Sequence, residues 1–161
     1  GFDGKQITSF LILSTVFAML GSLIIGWLVK YKGTVFSYNL VLWIWLIALT
    51  IIVISPGESL FWVAGPLAGV GMGGVWVASR AMVVELSPPG KIGEFFGIYS
   101  LAGKMASIIG PLIWGSIVWI FQDTQTLKYR AAVGSLILIT VVTIFFFNTL
   151  KKQIKTSSKL D

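Results

Sequence analysis

Five apolar runs, each long enough to cross a hydrocarbon layer, follow one another with only short polar breaks between them. They lie at about 6–29, 36–55, 59–86, 93–121 and 129–150. A helix rises ~1.5 Å per residue, so ~20 apolar residues span a hydrocarbon core ~30 Å thick. Inside that core only helices and closed barrels keep every backbone group hydrogen-bonded. The runs are too long and too continuous for strands, so they read as helices. The expected fold class is an all-α polytopic membrane protein. Its membrane domain covers 1–150, and a basic tail covers 151–161.

Composition agrees with this reading. Of 161 residues, 56% are hydrophobic and only 11% are charged. A soluble domain carries about 25% charged residues. The net charge of +6 could suggest nucleic acid, but the cations sit at loop ends rather than in one patch. Topology accounts for them better. Lys30, Lys32, Lys91, Lys151, Lys152, Lys155 and Lys159 fall on one side of five spans, and Lys5, Lys128 and Arg130 on the other. The richer side is expected to be cytoplasmic, which puts the 30–33 and 87–92 loops and the C-terminus there. Trp43, Trp45, Trp62, Trp114 and Trp119 include candidate interfacial anchors.

The residue inventory narrows the function. Cysteine and histidine are both absent, which removes disulfides, thiolate chemistry, histidine metal sites and the usual general base. Asp3, Glu58, Glu85, Glu94, Asp123 and Asp161 never cluster as ligands or as an acid–base pair. No Gly-rich phosphate loop follows a strand signal. Neither an enzyme, a metal site nor a cofactor is supported. The chain starts at Gly1 with no cleavable signal peptide, so it is expected to be a fragment or a processed product.

Residues 73–115 carry the polar chemistry. The third and fourth runs meet at Ser87-Pro88-Pro89-Gly90-Lys91, and each holds one cation well inside its apolar length. Arg80 lies ~9 Å inside Leu86, and Lys104 ~15 Å past Glu94, near the middle of the membrane. A cation at that depth costs roughly 2.5–3.5 kcal/mol and normally faces protein or water. On the third run Gly65, Gly69 and Gly73 recur at four-residue spacing beside Gly71 and Gly74, a pattern that lets backbones approach closely. Gly69, Gly73, Trp76 and Arg80 share one helical face, as do Gly97, Ser100, Lys104, Ser107 and Pro111 on the fourth run. Each stripe suits a cavity wall or a tight helix interface. The second and fifth runs have few small or polar residues, as expected of helices with much lipid contact. Pro66 and Pro111 are expected to kink their helices.

This stretch resembles the C-terminal half of a major facilitator superfamily transporter, and within it the vacuole-effluxer branch. The resemblance rests on Gly73-Gly74, Ser79-Arg80, Glu85-Leu86-Ser87-Pro88-Pro89-Gly90-Lys91, Glu94-Phe95-Phe96-Gly97-Ile98-Tyr99, Gly103-Lys104, Ser107 and Gly110-Pro111. Gly26-Trp27-Leu28-Val29-Lys30-Tyr31-Lys32-Gly33 is similar to the superfamily's cytoplasmic loop, with Lys30 standing at its acid position. The resemblance implies helices eight to twelve of a twelve-helix fold. The third run would line the cavity, the first and fourth would lie between halves, and the second and fifth outside. Helix seven and the N-terminal half would be missing partners.

On the same basis the chain is expected to be part of a secondary active permease or effluxer for small solutes, with amino acids implied by the branch. The membrane would be the bacterial cytoplasmic one, or the vacuolar one in a fungus. The bilayer and a solute are the implied partners, and nucleic acid is not. The alternative is a small membrane scaffold acting through helix packing. Candidate substrate or gating residues are Arg80, Lys104, Trp76, Ser100 and Ser107. Candidate packing or hinge residues are Gly65, Gly69, Gly73, Gly74, Gly97, Gly103, Gly110 and Pro111. Glu85, Pro88, Pro89, Gly90, Lys91 and Glu94 form the cytoplasmic hairpin. Arg80 either snorkels and pairs with Glu85 or Glu94, or takes part in gating. Lys104 awaits a solute anion or an acid from the missing half.

Overall fold

Helices begin and end where the sequence supplies a stop. The computed structural model describes residues 3–55, 57–124 and 127–157, with positions 58 and 152–157 in backbone only. Pro56, Lys159 and Asp161, and the side chains of Glu58, Lys152 and Lys155, lie outside the described residues. There are five long helices and, among the described residues, no strand: α1 (Gly4–Lys32), α2 (Thr34–Ile54), α3 (Glu58–Leu86), α4 (Ile92–Ile120) and α5 (Leu127–Ser157). All five are long and apolar enough to cross a membrane.

Asp3 opens α1 with a capping box, its carboxylate accepting from the Gly4 N–H while the Gln6 side chain accepts from the Asp3 N–H. Gly33 alone separates α1 from α2, at φ +85°, a conformation that a side chain would strain. The Ser87–Lys91 turn closes with the Lys91 N–H donating to the Pro88 carbonyl (3.1 Å), and Gly90 supplies φ +82°. α3 and α4 each stay continuous through their internal prolines, Pro66 and Pro111.

α5 runs on to Ser157, so the basic stretch from 151 begins as a continuation of the helix. Lys and Gln are good helix formers, and nothing in that stretch breaks the backbone pattern.

α3 is the hub. α1 and α2 pack along it, α5 packs on α2, and α4 leans on α5 with a short contact to α3. Two apolar clusters hold the hub. Ile25, Val41 and Ala78 join α1, α2 and α3, while Leu42, Ile144 and Phe147 join α2 to α5. α2 is therefore exposed on one face only. Val41, Leu42, Ala48 and Leu49 are buried, whereas Trp43, Ile47 and Ile54 are exposed. Polar links fasten the ends: Asn39 donates to Asn148 (3.0 Å) between α2 and α5, and Arg130 donates to the Ser55 carbonyl (3.0 Å).

Candidate functional site

The glycines of α3 are packed against its neighbours, whereas larger residues of the same helix stand open. On the packed side the helix meets α1 at backbone distance. A Cβ on Gly73 would stand 2.0 Å from the Ala18 carbonyl oxygen, and one on Gly69 2.2 Å from that of Ser14. From the other helix, a Cβ on Gly21 would stand 2.6 Å from the Val70 Cα. Gly65 is covered by the Phe10 ring, and Gly74 by Val41 and Ile25. At Gly21, Gly69 and Gly73 no side chain fits without moving backbone, whereas at Gly65 and Gly74 side chains would have to give way. In hydrocarbon, where lipid tails are as apolar as side chains, such close contact is what holds two helices together.

The open side of α3 carries Met72, Trp76 and Arg80, of which Met72 (54%) and Trp76 (52%) are half exposed. The face that the helical wheel assigns jointly to Gly69, Gly73, Trp76 and Arg80 is thus split, because α1 covers the glycines and leaves the tryptophan half exposed. A groove of about 540 Å³ runs along this boundary. Phe10, Leu11, Thr15, Trp45, Ala68 and Met72 supply most of its walls, and Trp76 closes one end. Ser14 also lines it, and its hydroxyl is buried without a hydrogen-bond partner among the described residues.

Arg80 lies over Trp76, with the guanidinium carbon 4.9 Å from the ring centroid. That contact places a cation against an electron-rich ring face. Among the described residues Arg80 forms no ion pair with Glu85 or Glu94, the partners expected if it snorkels. Glu85 instead accepts a short hydrogen bond from the Thr34 hydroxyl, which is buried at the start of α2. Thr34 is nearer in space because the one-residue turn brings the start of α2 against the end of α3.

α4 contrasts with all of this. None of its residues is buried. Gly97, Gly103 and Gly110, expected to pack closely, have nothing within 4 Å of an added Cβ. Ser100, Lys104, Ser107 and Pro111 are all exposed. The Ser107 hydroxyl is turned back to the Lys104 carbonyl (2.7 Å), leaving the ammonium unencumbered by it. The hydrogen bond between α3 and α4 joins Ser79 and Tyr99 (2.9 Å). Below it Met82, Val83 and Leu86 face Phe95 around a pocket of about 360 Å³ that Tyr38 and Phe147 complete.

This register brings the two cations to one side. The contacts of Ser79 with Tyr99 and of Val83 with Phe95 make α3 and α4 antiparallel. Each residue turns the helix by ~100°, so Arg80 lies ~100° past Ser79 and Lys104 ~140° past Tyr99. In antiparallel neighbours, rotations of the same sense in sequence lead to the same side of the pair. Lys104 is then level with Gly74, about six residues or ~9 Å from Arg80 along the axis. Trp76 lies between those levels. Glu94, Pro88, Pro89, Gly90 and Lys91 are all exposed at the hairpin end. Among the described residues no group of acidic, histidine or cysteine side chains could hold a metal ion.

Sequence reasoning missed three features: the Ser79–Tyr99 bond, the Thr34–Glu85 bond and the buried Ser14 hydroxyl. Serine and tyrosine in apolar runs were the available signal, but which helices meet was not legible.

Comparison with known proteins agrees with this architecture. A family model described as Major Facilitator Superfamily matches residues 1–160. YxiO of Bacillus subtilis, described as an uncharacterized MFS-type transporter, is 32% identical over 96 residues, covering 60% of this chain and 21% of that protein. Autophagy-related protein 22 of Eremothecium gossypii is 35% identical over 85 residues, covering 53% of this chain and 16% of that protein. Its counterpart in Kluyveromyces lactis is 32% identical over 84 residues, covering 52% and 16%. The chain thus spans about a fifth or less of the length of these relatives. No solved structure matches the chain.

Proposed function

Because this chain belongs to the Major Facilitator Superfamily, we propose that it is part of a secondary active transporter for small solutes and forms one wall of the solute path. The observation that carries the reading is the shared open side of α3 and α4. There Trp76, Arg80, Ser100, Lys104 and Ser107 stand uncovered, while Gly69 and Gly73, earlier on the same face of α3, are sealed against α1 at backbone distance. Hydrocarbon cannot satisfy two cations, so this side faces water, solute or further helices of a larger transporter. Segments corresponding to helix seven and the N-terminal half would face α4 and complete the cavity. Alternating access then moves the two halves against each other around that site.

The chemistry of the wall suits a solute with an anionic group and an apolar body. Arg80 and Lys104 offer charge-assisted hydrogen bonds, and the groove beyond Trp76 offers apolar surface. An amino acid, as the resemblance to vacuole effluxers implies, has both parts. The lysine asymmetry favours a cytoplasmic hairpin and C-terminus.

The test is Lys104→Met in the full-length transporter, which keeps length and apolar packing while removing charge. If the ammonium binds solute, the variant inserts and folds but binds roughly ten- to a hundredfold more weakly, as expected for one charge-assisted hydrogen bond. Unchanged transport with raised thermal stability would reject the role, because removing a merely tolerated cation stabilises.

A further inference from the structure

The groove beside Trp76 is larger than an amino-acid side chain needs, since such a chain offers two fused rings at most. It measures about 540 Å³, against roughly 150 Å³ for a cavity that takes up one benzene ring. Its walls give a ligand little to hydrogen-bond. Thr15 turns its hydroxyl back to the Leu11 carbonyl (2.8 Å). What polar edge remains is the Ser14 hydroxyl, unpartnered among the described residues, and the indole N–H groups of Trp45 and Trp76. Among the described residues no carboxylate lines the groove. One end, however, is cationic. Trp76 closes it, and the Arg80 guanidinium carbon lies 4.9 Å from that ring's centroid. Arg80 is exposed and has no ion pair among the described residues, so its planar fork of N–H donors is open to an anion.

We propose that this groove binds a bulky amphiphilic carboxylate, with the carboxylate on Arg80 and the apolar body laid along Leu11 and Met72. The inference rests on the reading of α3 as a wall of the solute path and narrows its solute. Among solutes with an anionic group and an apolar body, the groove favours those whose body amounts to about two or three rings. A smaller body leaves wall atoms without contact partners, and the dispersion they would gain is forfeited. A sugar or other polyol is disfavoured for the opposite reason, because most of its hydroxyls would be buried without a partner. The charge at Arg80 sets which end of the ligand meets Trp76. It also separates a carboxylate from a neutral body of the same shape.

The experiment is photolabelling of the full-length transporter in nanodiscs with para-benzoylbenzoate, a two-ring carboxylate whose excited ketone inserts into nearby C–H bonds. Peptide mass spectrometry should place the label between Ala68 and Trp76, with Met72 the favoured acceptor. Excess biphenylacetate should cut labelling about tenfold, whereas biphenylmethanol, which lacks the charge, and leucine, which lacks the bulk, should change it less than about twofold. Arg80→Gln should weaken labelling about tenfold or more, the loss expected for a charge-assisted hydrogen bond. Ala68→Trp fills the groove from α3 and should abolish the label. If circular dichroism shows that this variant does not fold, Thr15→Phe fills the groove from α1 and is read in its place. Label spread over lipid-facing peptides, undiminished label in the filled variant, or equal displacement by biphenylmethanol or leucine would overturn the proposal. Thiol reactivity of Ser107→Cys in the same nanodiscs reports separately whether the open side is wet. Fast reaction without groove labelling would keep the solute path and remove this ligand, and slow reaction with groove labelling would do the reverse.

Discussion

The α1–α3 seam and the outer face of α4 use the same small residues to opposite ends. Along the seam Gly21, Gly69 and Gly73 leave room that backbone atoms of the other helix occupy. Along α4, Gly97, Gly103 and Gly110 leave room that nothing in this chain occupies. A glycine stripe therefore says that a close approach is possible, and the neighbouring residues decide what approaches. Beside the seam glycines stand Ser14, Ala18 and Gly21 on α1, small enough to close the gap. Beside the α4 glycines stand Ser100, Lys104 and Ser107, which call for polar company.

Substituting glycines on the two faces sets the largest contrast. Gly73→Val puts a branched side chain onto the Ala18 backbone, which cannot yield without separating α1 from α3. Overpacking of this kind costs about 1–3 kcal/mol, with backbone contact at the upper end or beyond. Gly103→Val meets open space, so thermal unfolding of the purified chain in detergent should change by less than about 1 kcal/mol, since valine is at least as good a helix former as glycine. Equal losses at both positions would erase the distinction between the faces. Repeating Gly103→Val in the full-length transporter sharpens it, because destabilisation there alone would mean that the missing segments pack on α4.

A smaller effect is expected at the link between the faces. Tyr99→Phe removes the hydrogen bond to Ser79 and keeps the ring that lines the pocket with Phe95 and Phe147. The loss should be about 0.5–1.5 kcal/mol in the same unfolding assay. No loss would mean that this hydrogen bond adds nothing to the apolar contacts that hold α4.

The smallest effect is expected inside the seam itself. Ser14 buries a hydroxyl with no partner among the described residues, so Ser14→Ala removes an unmet polar group together with one atom of volume. Stability should stay level or rise by up to about 1 kcal/mol. A clear loss would show that the hydroxyl has a partner, such as an ordered water.

Much of this molecule was legible in its sequence. The five helices follow from the length of the apolar runs, and their breaks from Gly33, Pro88, Pro89 and Gly90. The seam was half legible: four-residue spacing marked the α3 face, but nothing in the spacing named α1 as its occupant. The wheel also grouped Trp76 and Arg80 with Gly69 and Gly73, since a period cannot tell which part of a face a neighbouring helix covers. Glu85 and Glu94 were the candidate partners of a snorkelling Arg80, one of its two expected roles, whereas the hydrogen bond of Glu85 goes to Thr34 on another helix. Which helices meet depends on crossing angles and turn geometry, and those emerge only when the helices pack.

The open side of α3 and α4 as the wet wall of a solute path is tested most directly by thiol accessibility. This chain has no cysteine, so a single one introduced at Ser107 in an otherwise cysteine-free full-length transporter reports its own surroundings. Phe146, exposed on α5 amid apolar neighbours, provides the lipid-facing reference. Ser107→Cys should react with a membrane-impermeant thiol reagent at least about tenfold faster than Phe146→Cys, a gap of ~1.4 kcal/mol in barrier, and transported solute should slow it. Reaction at Ser107→Cys no faster than at Phe146→Cys would mean that the face lies in lipid or dry protein, and the solute-path reading would fail.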